Sequence, residues 1–203
     1  MPDERGVLPL SASPPSVVVL DTSAVICALV DDQPQHDEYS RFIERAIVAG
    51  TAFVYCDLLD FELADAAITV ALKRQHGRAW FRHRSDRTSL SLARRLMEDV
   101  FSRWRTTLAA TSSARLPLGP VNDQSDGSPV RDRAFALLDA HPIRSYDAAH
   151  AATALLVAAP LVCRDVGFAE VSADRLTLIT DSTRTGPCRT RRAADKHPPA
   201  GDA

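Results

Sequence analysis

The sequence has few cysteines and no recognisable cysteine pattern. Four of its 203 residues are cysteines, and Cys27, Cys56, Cys163 and Cys188 are far apart, without a C-x-x-C pair. This spacing argues against both a zinc-thiolate site and a disulfide framework. Isolated cysteines are typical of a reducing compartment, so we expect a cytoplasmic protein.

A long apolar segment is also lacking. The longest apolar run, residues 151–162, is interrupted by Thr153 and Pro160 and is too short to span a bilayer. The N-terminal sequence PDERGVLPLSASPP is polar and rich in proline, unlike a signal peptide. We therefore expect a soluble protein without a membrane partner.

The chain as a whole has almost no excess of either sign of charge, but one segment is strongly basic. The chain has 24 Lys and Arg residues and 26 Asp and Glu residues, a net charge of -2, so total charge selects no class of partner. Residues 73–105, however, contain ten basic and three acidic residues, an excess of seven positive charges. The rest of the chain is correspondingly acidic.

Composition divides the chain into three parts. Residues 1–15 hold four prolines and few large apolar groups, which predicts a disordered lead. Residues 183–203 show no apolar periodicity, which predicts a flexible tail. Between them, residues 16–182 are long enough for one domain with its own core, and they include an arginine-rich helical insertion at about 73–130.

Strand and helix patterns alternate along the predicted domain. The apolar run VVVL at 17–20 indicates a buried parallel strand, and 58–74 indicates a helix that is apolar nearly all round, with Asp57 as its N-cap. Such alternation favours an α/β fold, a three-layer α/β/α sandwich with a mostly parallel sheet. The other expected strands lie at 51–56, 116–122, 161–164 and 176–180, and the other expected helices at 23–30, 36–49, 130–140 and 146–157, with a basic helical stretch reaching about 108.

Four carboxylates occupy matching places in this arrangement. Asp21 follows the first predicted strand, and Asp165 follows the strand at 161–164. Asp147 opens the helix DAAHAATALL, where backbone N–H groups favour an anion, and Glu62 lies one turn into its helix. Ligands of parallel sheets bind beyond the carboxyl ends of the strands, so all four side chains can reach one edge. Burying them there unpaired would be costly.

A hard divalent cation would offset this repulsion. Mg²⁺ and Mn²⁺ prefer carboxylate oxygens and keep several waters for substrate phosphates. An acidic metal pocket beside a basic helical surface is the layout expected of a metal-dependent nuclease. Simpler roles stay open for single residues: a helix cap for Asp147, a turn for Asp165 and a solvent-facing helix edge for Glu62.

Three further residues are candidates for supporting roles. Ser23 could hydrogen-bond a carboxylate or a metal-bound water, or cap the following helix. Asp65 lies one turn after Glu62 on the same helix face, as a supporting acid or a rival ligand. His150 lies one turn after Asp147, and a lone histidine on an alanine-rich helix is more typical of packing or of hydrogen-bonded structure than of acid–base chemistry.

The basic segment supplies possible RNA contacts in Arg78, Arg82 and Arg84. Runs of charge are often simply solvated, and that alternative stays open. Trp80 and Phe81 interrupt the run, and they could either stack on bases or anchor the helix to the core or to a partner.

Four motifs, VVVLDTSAVI, FELADA, SYDAAHAATAL and CRDVGF, occur in this order along the chain. Together they resemble the four signatures of the PIN domain, and most of all those of bacterial VapC-type toxin ribonucleases. The resemblance covers residues 17–180. It implies a compact α/β/α sandwich, a small antitoxin that blocks the site, and a homodimer. It also implies Mg²⁺- or Mn²⁺-dependent endonuclease action on RNA, with a catalytic and metal-binding set of Asp21, Glu62, Asp147 and Asp165.

The chain departs from the family pattern at two places. Cys163 stands where a Thr or Ser usually precedes the last Asp by two residues, which removes one expected supporting hydrogen bond. The region between Glu62 and Asp147 is longer than usual and contains the arginine-rich part and the loop NDQSDGSP. This extra region could be a substrate clamp, an antitoxin groove or a solvated surface.

The sequence therefore favours a toxin-type endoribonuclease that hydrolyses phosphodiester bonds with a metal-activated water. A haloacid-dehalogenase-like phosphatase with Asp21 as nucleophile would need D-x-D, but Ser23 replaces the second Asp. A receiver domain would need paired acids after the first strand, but Thr22 follows Asp21. A catalytically idle PIN-like module that binds RNA or a partner is the remaining alternative.

Overall fold

The protein is described by a computed structural model at residues 6–118, 128–165, 167–168, 171 and 175–181. Its elements alternate as the sequence predicts. In chain order, those of the described residues are β1 (Val7–Pro9), β2 (Val17–Leu20), α1 (Thr22–Leu29), α2 (His36–Val48), β3 (Ala52–Cys56), α3 (Leu58–His76), a 3₁₀ helix (Gly77–His83), α4 (Arg87–Ala109), β4 (Ser113–Leu116), α5 (Pro129–Ala140), α6 (Ser145–Leu156), β5 (Leu161–Val162) and β6 (Leu178–Thr180).

The strands form one sheet in the order β1-β6-β5-β2-β3-β4, and every pairing among them is parallel. β2 lies at the centre, with Val17 opposite Ala52 of β3 and Val19 opposite Leu161 of β5. The chain leaves β2 towards β3 on one side and later returns to β5 on the other. The gap between β2 and β5 is therefore a topological switch point, where parallel sheets open a crevice for ligands.

Helices cover both faces of the sheet, which confirms the three-layer sandwich. Val18, Leu20 and Phe53 point to a core formed with α1, α2, α3 and α4. The alternate residues Val19 and Val54 point to a second core formed with α5 and α6. The alternation follows from the two-residue period of a strand, and burial on both faces explains why β2 is apolar without interruption.

The N-terminal segment differs from the expected disordered lead. Within residues 1–15, β1 adds to the edge of the sheet beside β6, and Leu10 is buried. Pro9 is compatible with this position because an edge strand leaves one side without ladder hydrogen bonds. The Thr51 hydroxyl also donates to the carbonyl of Pro15 at 2.8 Å. Pro9 belongs to an edge strand, and Pro14 and Pro15 belong to the connection that follows it.

Three local predictions also need correction. The strand expected at 116–122 ends at Leu116, and residues 119–127, with most of the loop NDQSDGSP, lie outside the described residues, as does the predicted tail at 183–203. Asp57 does not cap α3, because its carboxylate binds Arg115 Nε at 2.6 Å and the Leu118 N–H at 3.3 Å. α3 is not buried all round, since Phe61 is 72% exposed on its outer face.

The basic stretch comprises the end of α3, the 3₁₀ helix and α4, which packs back along α3, so this stretch is helical as predicted. The segment at about 73–130 is not helical throughout, because it also contains β4. Asp86 caps α4 by accepting hydrogen bonds from the N–H groups of Thr88 and Ser89. None of the helices among the described residues combines the length and apolar character that crossing a membrane requires. Cys27, Cys56 and Cys163 are buried free thiols.

We expect the two faces of α3 to respond differently to truncation. Leu63 is fully buried in the larger core, so Leu63→Ala should lower the free energy of unfolding by about 2–5 kcal/mol. Phe61→Ala, two residues away on the exposed face, should change it by less than about 0.5 kcal/mol. Urea unfolding followed by circular dichroism measures both, and equal losses would contradict the placement of α3.

Candidate active site

Asp21 lies where β2 ends and α1 begins. Its carboxylate caps α1 by accepting hydrogen bonds from the Ser23 N–H at 3.0 Å and from the Ser23 hydroxyl. The residue is only 5% exposed. Asp21 is therefore both a helix cap and a buried acid at the carboxyl edge of the central strand.

Two further acids lie around Asp21. Asp147 is in the first turn of α6, and Asp165 follows β5, the neighbour of β2. Burial, the largest cause, acts together with the negative charges of Asp21 and Asp165 to raise the pKa of Asp147 to about 6, and the nearby Arg144 opposes them only in part. These three carboxylates are therefore within electrostatic range of one another, as the sequence predicts.

Glu62 approaches the same site from α3. Its Oε2 atom accepts a hydrogen bond from the Thr22 hydroxyl at 2.8 Å and lies 2.6 Å from Nε2 of His150. Its charge also contributes to the raised pKa of Asp147. The structure thus brings all four predicted acids together, and it hydrogen-bonds Glu62 to His150, which agrees with the hydrogen-bonded structural role that the sequence favours for this histidine.

His150 is the buried histidine beside these acids. Its side chain is fully inaccessible, and Nε2 also lies 3.6 Å from Oδ1 of Asp21. Burial lowers the pKa of His150, but the hydrogen bonds with Cys56 and Glu62 and the charge of Asp21 outweigh this effect and raise the pKa above its usual range. For Asp21, an acid, burial has the opposite effect and raises the pKa, although His150 and Ser23 partly oppose that shift.

The donor set fits a hard divalent cation. Within the described ranges, no group of three or more Asp, Glu, His or Cys side chains is arranged so that it could hold a metal ion. Mg²⁺ does not require such a group, because it commonly takes one or two carboxylates and fills its other positions with water and substrate phosphate. The oxygen atoms of Asp21, Asp147 and Asp165, coupled by repulsion, provide the chemistry that such an ion prefers.

Ser23 connects two walls of the site. Its hydroxyl binds Asp21 and accepts a hydrogen bond from the Arg164 N–H at 2.9 Å, so it links α1 to the segment after β5. In the same segment, Asp165 accepts a hydrogen bond from the Gly167 N–H at 2.9 Å. Cys163 is buried, and its thiol contacts the Asp165 carbonyl at 3.5 Å rather than a carboxylate.

The other predicted residues lie on the arm formed by α3, the 3₁₀ helix and α4. Asp65 is exposed and forms an ion pair with Arg84, so it is turned away from Glu62 and the other acids. Arg84 and Lys73 both lie over the ring of Trp80 at 5.4 Å, and this ring packs against the core. The other residues of the arm that the sequence suggested for RNA contact are exposed, namely Arg78, Phe81 and Arg82.

Sequence reasoning missed two partners of Glu62, namely Thr22 and His150. Each lies within a motif already identified, directly after Asp21 or one turn after Asp147. The three-residue spacing between Asp147 and His150 places them on one helix face, and this was the available signal. Only the packing of α6 beside β2 and β3 reveals that this face meets Glu62.

The chain resembles one known family and several solved structures. A model of the PIN domain matches residues 18–174. VapBC2 from Rickettsia felis, bound to a DNA fragment from its promoter, is 13% identical with a TM-score of 0.49, over 81% of this chain and 98% of that chain. FitAcB from Neisseria gonorrhoeae is 16% identical with a TM-score of 0.48, over 80% of this chain and 96% of that chain. No curated protein matches the sequence.

The raised pKa of Asp147 predicts a pH-dependent cost in the metal-free protein. The folded chain holds the proton more tightly than the unfolded chain, so stability should fall as pH rises from about 4 to about 6. Asp147→Asn should therefore be more stable than the parent at neutral pH. The shift corresponds to about 3 kcal/mol, and solvent screening at this half-buried side chain reduces the expected gain to about 1–2 kcal/mol.

Urea unfolding in EDTA at about pH 4 and about pH 7.5 measures this gain. The advantage of Asp147→Asn should be present at the higher pH and nearly absent at the lower. An equal difference at both pH values would show that Asp147 does not carry the repulsion.

Proposed function

This chain belongs to the PIN domain family, and we propose that it is a Mg²⁺- or Mn²⁺-dependent endoribonuclease, the toxin of a toxin–antitoxin pair. The observation that carries the proposal is the convergence of Asp21, Glu62, Asp147 and Asp165 at the switch point of the sheet. Three of these acids raise the pKa of the fourth, Asp147. Perturbed carboxylates in the crevice of a parallel sheet are typical of a functional site.

The acidic residues have separable roles in this proposal. Asp21, Asp147 and Asp165 would hold the ion, with Glu62 completing the set. A bound divalent ion supplies activation of a water and neutralisation of charge on the scissile phosphate. Ser23 fixes the carboxylate of Asp21, and the Gly167 N–H fixes that of Asp165. No covalent nucleophile is needed.

The arm supplies the proposed contacts with RNA. Arg78 and Arg82 are exposed, and the guanidinium of Arg82 lies 5.6 Å from the centre of the Phe81 ring, which is 57% exposed. An exposed aromatic ring beside a cation suits single-stranded nucleic acid, because bases stack on the ring while the cation binds phosphate. Arg84 is a weaker candidate, since Asp65 already neutralises part of its charge.

The partner assignment rests on the motifs. The ordered set of four resembles VapC-type toxins, and this resemblance supports a small cognate antitoxin that covers the acidic site, a homodimer and a cytoplasmic location. A catalytically idle PIN-like module that binds RNA or a partner is the alternative. One observation favours this alternative. Oε2 of Glu62 already has two hydrogen-bond partners within the chain, so one of the four acids is engaged by the protein itself.

Removal of Asp21 separates these possibilities. We expect the purified protein to cut RNA with Mg²⁺ or Mn²⁺ and to lose activity in EDTA. Asp21→Asn should lower kcat by at least about a hundredfold, because it removes a central carboxylate of the ion site. Asp99→Asn, an exposed carboxylate on α4, is the matched control and should retain activity. Cleavage that persists in both EDTA and Asp21→Asn would refute the mechanism, and absence of metal-dependent cleavage would favour the idle module.

The arm should affect substrate binding rather than chemistry. The double substitution Arg78→Ala and Arg82→Ala should raise KM by about threefold to tenfold with little change in kcat. It should also reduce the slope of log affinity against log salt by about 0.7 for each lost contact with a single strand. Arg41→Ala on α2, an exposed arginine paired with Asp37, is the control for charge. An unchanged KM and salt slope would identify the arm as a solvated surface.

A further inference from the structure

His150 is the only histidine among the described residues whose side chain is buried completely, and it lies between two of the catalytic acids. Its Nε2 atom is 2.6 Å from Oε2 of Glu62 and 3.6 Å from Oδ1 of Asp21. These carboxylates belong to different helices, since Glu62 lies within α3 and Asp21 caps α1. The imidazole therefore joins, through one nitrogen, two acids that would otherwise repel each other.

The other ring nitrogen fixes the direction of this contact. Nδ1 of His150 lies 3.5 Å from the thiol of Cys56, the last residue of β3. With Nδ1 held by β3, the ring presents Nε2 to the carboxylates, where it donates to Glu62. Cys56 is itself fully buried, so the ring cannot turn without displacing a core residue.

Glu62 depends on this contact more than on any other described one. Its hydrogen-bond partners among the described residues are His150 and the Thr22 hydroxyl, and both bind the same oxygen, Oε2. If the imidazole were replaced by an apolar side chain, this largely buried carboxylate would keep a single neutral donor among the described residues, too few contacts to hold it in one position.

We propose that His150 is a positioning residue, which holds Glu62 and Asp21 in one fixed arrangement so that the acidic site receives a divalent ion and an RNA phosphate without rearranging. This inference rests on the proposed function and assigns the histidine a part in it. The role is exerted through the carboxylates, because a fully buried ring beneath them cannot itself contact RNA. Substitution of a residue that holds a metal-binding side chain in place typically lowers the affinity for the metal by roughly tenfold to a hundredfold.

Three variants test the inference. His150→Leu fills similar volume without a donor, whereas His150→Gln keeps an uncharged N–H donor near the position of Nε2. Thr153→Val is the matched control, because Thr153 is buried one turn further along α6 and its hydroxyl binds only the Ala149 carbonyl among the described residues. Thr22→Val removes the second donor to Glu62 and provides an independent variant if His150→Leu does not fold.

The readouts are the Kd for Mn²⁺ from calorimetry without RNA, the thermal shift caused by Mn²⁺, and kcat and KM for RNA. We expect His150→Leu to raise the Mn²⁺ Kd by at least about tenfold and to lower kcat more than it raises KM. His150→Gln should restore most of both, Thr22→Val should weaken Mn²⁺ binding to a smaller extent, and Thr153→Val should match the parent.

Two results would overturn the inference alone. If folded His150→Leu keeps the parent Kd and kcat, the histidine only packs. If His150→Leu and His150→Gln both bind Mn²⁺ more tightly, it acts only as an opposing charge. In either case the parent still binds Mn²⁺ and cuts RNA in a manner that depends on Asp21. A parent protein that neither binds Mn²⁺ nor cuts RNA would overturn the proposed function together with this inference.

Discussion

Repulsion among carboxylates gathered at one edge of a parallel sheet is the constraint on which the rest of this structure depends. β2 and β5 run side by side in the same direction, so the segments that leave them emerge together. Asp21 and Asp165 are thereby forced into one crevice, and α6 adds Asp147. Burial is the largest cause of the raised pKa values of Asp21 and Asp147, and the charges of neighbouring acids add to it. Much of the surrounding hydrogen bonding can be understood as a response to this repulsion.

Asp21 and Glu62 could be identified as candidates because each interrupts an apolar pattern, directly after VVVL or inside an apolar helix. Asp147 and Asp165 fit a helix cap or a turn by themselves, and only their place at the ends of predicted elements connects them to the other two. In the structure Asp21 also caps α1, so its position is favoured locally as well. The parallel sheet was predictable for a similar reason, since strands buried on both faces are continuously apolar. In both cases the information lies within a few residues of the chain.

What the sequence did not reveal depends on contacts between distant segments. The pairing of His150 with Glu62 requires α6 and α3 to meet beside β2. Taken alone, His150 is compatible with a structural role and Glu62 with a solvent-facing helix edge. Asp57 looked like a helix cap because its neighbours in sequence fit one, but Arg115 on β4 offers a charged partner instead. The strand β1 could not be predicted because residues 1–15 are rich in proline, which is typical of disorder. Its three residues become ordered only by pairing with β6.

The arginine-rich arm shows how formal charge overstates what a surface presents. Arg74 binds Asp32, Arg84 binds Asp65 and Arg103 binds Asp31, so part of the local positive excess is neutralised within the chain. These exposed pairs contribute little to stability individually, but they fix the direction of the side chains involved. Exposed arginines outside these pairs remain on the 3₁₀ helix and along α4, and at the 3₁₀ helix Arg82 and Phe81 are exposed together.

The acidic site and its histidine follow from one principle. A folded chain that concentrates negative charge is less stable than it would be without that charge, and anything that binds only the folded site recovers the difference by mass action. A divalent ion would do so from solution, whereas His150 lies at a fixed place within the core, next to Asp21 and Glu62. The charge of His150 lowers the pKa of Asp21 and so opposes part of the repulsion there. The charges of Asp21 and Asp165 still raise the pKa of Asp147.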